Sequence, residues 1–249
     1  HALCNSILVI DEVQTVPGNL LSLFNLAINF LSEICGTTVV LCSATQPELK
    51  AACHPLCREP VELSPQPRAL WDIFKRTEIQ NAGCAKLEEI PSAVRKALEG
   101  CNSLLVVCNT KKEAAFLFDR LPECQRFHLS AAMCVAHRRQ ELMALQAALD
   151  SLPIAGGKVV CISTQVIEAG VDISFQQVIR FSAGMDSVVQ AAGRCNRHAE
   201  QDTPAPVQIL RCTDETLYGL ADIVRGQNAT VSLLTAFSRQ PADFQNDLS

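Results

Sequence analysis

The chain has 249 residues, 48% of them hydrophobic and 19% charged, which allows one large or two small domains with real cores and excludes both a disulfide-stapled miniature and a mainly disordered chain. Lys plus Arg is 21 against 26 for Asp plus Glu, a formal charge of -5, so a nucleic-acid partner would have to be gripped in a localised groove. The 13 cysteines are odd in number and irregularly spaced, and no secretory signal precedes them; they are read as reduced thiols of a cytoplasmic protein.

The chain opens on His1 and is in an apolar, strand-like run by Ser6, and it is read as an internal piece of a longer protein. Ile7 to Ile10 leads directly into Asp11 and Glu12. A buried parallel strand ending in two carboxylates presents them in the crevice beyond the carboxyl edge of a sheet, where open α/β folds bind ligands. One can hold Mg²⁺ while the other orients a water that attacks a γ-phosphate. Leu20 to Leu31 has helical spacing, and Ser22, Asn25 and Asn29 interrupt it. It falls short of the roughly 20 apolar residues of a membrane span, so no membrane partner is expected. Val39 to Cys42 is a second strand, ending in the hydroxyls of Ser43 and Thr45 at the same sheet edge. Cys53-His54-Pro55-Leu56-Cys57 has no second ligand pair at finger-like spacing, so no zinc site is expected.

Pro60, Pro65 and Pro67 break the pattern and mark a boundary. Three further apolar runs follow, Leu104 to Cys108, Val159 to Ile162 and Val178 to Phe181, with helical spacing at Ala114, Phe118 and Leu121 and at Leu142, Leu145 and Leu149. Unalternating runs suit strands covered on both faces, and their alternation with helices predicts an α/β fold with parallel sheets. The predicted domains are residues 1–67, a thin first lobe with two strands; 68–213, a fuller second lobe; and 214–249, a helical extension with one helix through Leu217 and Ile223 and a second near Val231 to Phe237. In the second lobe, Ser163 to Ile173 begins as a strand and ends in a turn holding Gly170 and Asp172. Gln190-Ala191-Ala192-Gly193-Arg194-Cys195-Asn196-Arg197 sets two guanidinium groups three residues apart. On a helix they would share one face and suit phosphate.

In order, the D-E-x-x box at Asp11, the S-A-T at Ser43, the N-T at Asn109 and Thr110, S-T-Q-V-I-E-A-G-V-D from Ser163 and Q-x-x-G-R-x-x-R from Gln190 resemble motifs II to VI of superfamily two helicases. Leu41 to Pro47, His128-Leu129-Ser130 with Met133, Cys134, His137 and Arg138, and Ala192 to His198 make the chain similar to the helicase-nuclease of type I CRISPR interference. The resemblance implies two RecA-like parallel-sheet lobes, the first truncated at its N-terminus. It also implies ATP and Mg²⁺ as cofactors, with single-stranded DNA and a CRISPR RNA-guided surveillance complex as partners. It assigns Asp11 to Mg²⁺, Glu12 to the hydrolytic water, Gln14 to the fourth place of the box, and Ser43 and Thr45 to coupling. Asn109, Thr110, Ser163, Thr164 and Gln165 would meet the nucleic-acid backbone. Gly170, Asp172, Gln190, Arg194 and Arg197 would face the nucleotide, the arginines as fingers.

Two departures stand out. No G-x-x-x-x-G-K-[ST] loop occurs in the 249 residues, and Gly156-Gly157-Lys158 precedes a strand, the wrong context for a phosphate cradle. The family's nuclease domain is also missing, so the isolated chain is expected to be inactive. Gln14 stands where many relatives have His. Two other readings stay open, a generic D-E-x-H-type RNA helicase and a non-catalytic remnant that binds nucleic acid.

Overall fold

The computed structural model describes residues 2–43, 49–63, 74–121, 124–168 and 171–239. The chain divides into two compact units, His1–Pro67 and Arg68–Ser249. In the first, β1 (Ile7–Ile10) and β2 (Thr38–Leu41) pair in parallel, and α1 (Leu21–Glu33) packs against β2. The asparagines that interrupt the apolar stripe of α1 have a structural use. Asn25, fully buried, donates to the carbonyls of Leu49 at 2.8 Å and His54 at 2.9 Å. Asn29 donates to Pro55 and accepts from the Cys57 backbone N–H, so the helix holds the 49–57 loop by side-chain amides.

The expectation that β1 is covered on both faces is not met. Ile7 is 74% and Val9 61% exposed, whereas Leu8 and Ile10 are half-buried. Among the described residues only one face of the two-stranded sheet is covered, so the run alternates in burial although it does not alternate in composition.

The second unit is built on a six-stranded parallel sheet in the order β3-β8-β7-β4-β6-β5. Its strands are β3 (Thr77–Ala85), β4 (Ser103–Val107), β5 (Gln125–Leu129), β6 (Val159–Ser163), β7 (Gln177–Phe181) and β8 (Ala205–Cys212). Every residue of β4, β6 and β7 is buried. Successive side chains of a strand point to opposite faces, and the core divides accordingly. Leu105, Val107, Val159 and Cys161 pack with Leu145 and Ala148 of α4 (Val135–Ala155) and Ala191 of α5 (Met185–Ala192). Leu104, Val106, Val160 and Ile162 pack with Val94 and Leu98 of α2 (Ile90–Glu99) and Ala114 and Leu117 of α3 (Lys111–Arg120). Helices on both faces of a mostly buried parallel sheet are the α/β architecture that the alternating runs predict, and they agree with the RecA-like lobe that the resemblance implies. Gly156 and Gly157, at φ 68° and 97°, form the turn from α4 into β6, at the amino edge of the sheet and away from the site loops.

The C-terminal stretch differs from expectation. Leu217 lies in a turn, and a single helix, α6 (Ala221–Arg239), replaces the two predicted. It seats on the turn before α5: Gln227 donates to the Ser182 carbonyl at 2.8 Å and Thr230 to the Ala183 carbonyl at 2.6 Å. A Cβ on Gly226 would lie 2.6 Å from the Gly184 nitrogen and 2.7 Å from its Cα. Gly226→Ala is therefore expected to destabilise by about 1 kcal/mol or more through overpacking, although Ala is favoured over Gly inside a helix by about 1 kcal/mol. Urea titration of the variant checks the sign; a gain in stability would show that α6 does not seat this closely.

Candidate functional site

Each unit carries one set of site residues at the carboxyl edge of its parallel strands. In the first, Asp11 and Glu12 leave β1 where the Cys42 amide still bonds to the Ile10 carbonyl at 2.8 Å and Val13 bonds back to Cys42 at 3.2 Å. Glu12 takes a left-handed backbone, φ 55°. Its N–H donates to the Asp11 Oδ1 at 2.9 Å, and its carbonyl accepts from the Thr15 hydroxyl at 2.8 Å. The Gln14 amide bridges the two strands: its Nε2 donates to the Glu12 carboxylate, and its Oε1 accepts from the Ser43 hydroxyl at 2.6 Å. Ser43 thus reaches the acidic pair through Gln14. Asp11 and Glu12 are exposed; hard carboxylate oxygens beside open space fit a Mg²⁺ that takes its other ligands from phosphate and water. Thr45 lies outside the described residues.

In the second unit, β4, β6 and β7 run parallel side by side, so the segments after them meet at one edge. Thr110 caps α3: its hydroxyl accepts from the Glu113 N–H at 3.2 Å while the Glu113 carboxylate accepts from the Thr110 N–H at 2.9 Å. This reciprocal box satisfies two donors that a helix start otherwise leaves open. Burial pushes the Glu113 carboxyl above its ordinary value, and the Thr110 N–H opposes that.

Asn109 and Ser163, expected to meet the nucleic-acid backbone, have inward-turned side chains. The Asn109 side chain is buried, donating to the Ser182 carbonyl at 2.9 Å and to Glu215 at 3.0 Å and accepting from Arg180 at 2.7 Å. Ser163, fully buried, donates to the Thr164 carbonyl at 2.7 Å. Ser163 is the last residue of β6 and Asn109 lies two residues past β4, and the side chains of both are spent on bonds within the unit. Thr164 is buried, Gln165 is exposed on a short 3₁₀ turn, and Gln190 is half-buried near the end of α5.

The arginines also depart from the helical spacing expected of them. α5 ends at Ala192, and Arg194 to Arg197 form an irregular strap whose Cys195 bridges Phe175, with Asn196 at φ 46°. Arg194 is buried and turns inward, its Nε donating to the Ile167 carbonyl at 2.9 Å and its Nη2 to the Glu168 carbonyl at 2.7 Å. Arg197 points the other way and pairs with Asp172 at 2.6 Å, both partly or well exposed. The Arg197 guanidinium holds the Asp172 carboxyl below its usual range. Gly170 lies outside the described residues.

Sequence reasoning missed a buried cluster beneath this edge. Arg180, 0% exposed and next to last in β7, pairs with Glu168 at 2.9 Å and donates to Ser187 at 2.8 Å. Ser187 in turn lies 2.8 Å from both Glu168 carboxylate oxygens. Burial pushes the Glu168 carboxyl up, and Arg180 and Ser187 oppose it. The signal was in plain view, a charged residue inside an otherwise apolar strand run.

Residues 101–200 match the family model for the C-terminal domain of CRISPR-associated nuclease/helicase Cas3. That match spans 100 of the 249 residues, all of them in the second unit. A Cas3 of Haloferax volcanii is 66% identical over 41 residues, 16% of this chain and 4% of that protein. The T. fusca Cas3 structure with AMPPNP superposes with a TM-score of 0.64 at 18% identity, covering 88% of this chain and 32% of that one. A chain of a CRISPR RNA-guided surveillance complex in its pre-nicking state gives 0.60 at 18% identity, covering 83% and 31%. At these identities the structures show a shared fold, and the chain spans under a third of the length of these solved relatives.

The Thr110 cap generates a prediction. Thr110→Ala is expected to lower the unfolding free energy by about 0.5–2 kcal/mol, and Thr110→Ser, which keeps the hydroxyl, to restore most of it. Chemical denaturation of both variants is the check, and equal stability of the two would remove the cap from the account.

Proposed function

We propose that these residues form the core of an ATP-dependent single-stranded DNA translocase and helicase of CRISPR interference, which works with a nuclease activity and is recruited by an RNA-guided surveillance complex to degrade foreign DNA. The observation that carries the reading is the hydrogen-bonded path Ser43–Gln14–Glu12 beside Asp11 at a carboxyl sheet edge. It gives an acidic pair a side-chain link to the neighbouring strand, as a coupled ATPase needs. The likeness to Cas3 structures solved with ATP, ADP and AMPPNP supports nucleotide binding.

In this reading Asp11 holds Mg²⁺, which when bound neutralises charge on the β- and γ-phosphates. Glu12 accepts a hydrogen bond from the attacking water and orients it in line with the γ-phosphorus. Gln14 fixes the rotamer of Glu12 and passes its position to Ser43, with Thr45 beside it in sequence. Asp172 and Gln190 face the nucleotide. Arg197 breaks its exposed pair with Asp172 to reach the phosphates, a small cost because exposed ion pairs contribute about 0–1 kcal/mol. Arg194 acts indirectly, fixing the loop after Ile167. Thr110, Thr164 and Gln165 meet the DNA backbone with hydroxyl, amide and N–H donors, contacts that position a strand without reading its sequence.

Without a cradle of backbone N–H groups, a triphosphate facing Asp11 and Glu12 has only a Mg²⁺ held through one carboxylate to offset the repulsion. The 249-residue chain is therefore expected to release no phosphate from ATP with single-stranded DNA present, at the level of a Glu12→Gln control. Release above that control would remove the requirement for a phosphate loop. In a longer protein that carries the loop, Arg197→Lys keeps the charge and loses the planar fork. Fingers of this kind contribute about 10³ to 10⁵ in turnover, so a fall of at least roughly a hundredfold is expected, with ATP affinity and DNA binding little changed. Near wild-type turnover would take Arg197 out of the site, and weaker DNA binding with a reduced salt slope would make it a nucleic-acid contact instead.

A further inference from the structure

We propose that Arg180 is the positioning hub of the second unit's functional edge, fixing the segments after β4 and β6 and the start of α5 in one register through Asn109, Glu168 and Ser187. Each nitrogen of the guanidinium faces a different segment. Nη1 donates to Asn109 at 2.7 Å, just past β4. Nε lies 2.9 Å from Glu168, past β6. Nη2 donates to Ser187 at 2.8 Å, in the first turn of α5. Nη1 also meets the carbonyls of Phe181 at 2.9 Å and Val107 at 3.4 Å. The planar guanidinium fixes the directions of its Nη1 and Nη2 donors together, while Nε meets Glu168 as an ion pair without a hydrogen bond.

The reach of the hub extends to both arginines of the strap. Glu168, held by Arg180, offers its backbone carbonyl to Arg194, and Ile167 does the same. The Arg194 carbonyl then accepts from the Phe175 N–H at 2.9 Å, and the Arg197 N–H donates to the Ser174 hydroxyl oxygen at 3.0 Å. On the other side, Asn109 passes the register to Glu215 and, through it, to Gln227 of α6. A buried ion pair is seldom more stabilising than apolar side chains of the same volume. A charge pair in the midst of this core is therefore better explained by geometry than by stability.

The test separates geometry from stability by removing both charges at once. In Glu168→Gln/Arg180→Met no unpaired charge is left in the core, and the unfolding midpoint of the 249-residue chain is expected to stay within about 4 °C of wild type. Amides of residues 165–168 and 193–197 should nevertheless exchange at least about tenfold faster, while those of β4 and β6 keep their rates. Unchanged rates at 165–168 and 193–197, or acceleration spread evenly over the second unit, overturn the hub. Should the double variant not fold, Ser187→Ala removes one arm alone; it should speed exchange locally at 165–168, and wild-type rates there overturn the proposal equally. A second arm rests on the ATPase reading: in a longer protein with the phosphate loop, the double variant should lose at least about tenfold in kcat with KM for ATP little changed. Wild-type kcat in that variant also overturns the hub. A wild-type protein that hydrolyses no ATP, while the exchange signature is present, sinks the ATPase reading and supports the hub.

Discussion

A guanidinium in the interior of a parallel sheet is costly unless acceptors meet it on several sides, and in the second unit those acceptors come from separate stretches of chain. Arg180 draws Asn109, Glu168 and Ser187 toward itself. This divides the polar residues at the carboxyl edge into two layers. The inner layer, with Asn109, Ser163 and Arg194, is buried. The outer layer, with Gln165, Asp172 and Arg197, remains partly or wholly exposed. Solvent reaches the side chains of the outer layer, and the inner layer holds the segments that carry them.

Much of this was legible from residue types. The unalternating runs at Leu104, Val159 and Val178 became strands buried on both faces, because the helices that alternate with them cover both sides. The acidic pair followed β1 directly, and the hydroxyl of Ser43 reached it, by way of Gln14. What stayed hidden did so for physical reasons. β3 holds one large aliphatic residue, Ile79, and pairs through its backbone, so it gave no periodic signal. α6 looked like two helices because Gly226 and Asn228 are poor helix formers, and only the close approach to Gly184 explains the glycine. Two arginines three residues apart suggested one helix face, but the helix ends at Ala192 and the positive φ of Asn196 turns the chain. Spacing rules presume a continuing helix, and nothing local to the pair says where it stops.

The two units differ in how fully they use their apolar residues. In the second, both sheet faces are covered and the core divides evenly between them. In the first, Ile7, Val9, Leu23, Phe30 and Ile34 are all more than half exposed, and the polar work of Asn25 and Asn29 on the 49–57 loop supplies much of the tertiary order. A hydrogen-bonded loop resists displacement, but amide bonds exchanged for water contribute only about 0.5–1.5 kcal/mol each, far less than a packed face.

The register shift of β3 between Asn81 and Cys84, with Gly83 at φ 80°, has its own consequence. β3 is the outermost strand beside β8 among the described residues, and a row of open N–H and C=O groups there would invite a strand of another molecule to add on. The extra residue bends the strand and puts its outward amides out of step with any straight partner. That edge is thereby interrupted by geometry rather than by charge, since no charged residue stands between Asn81 and Ala85.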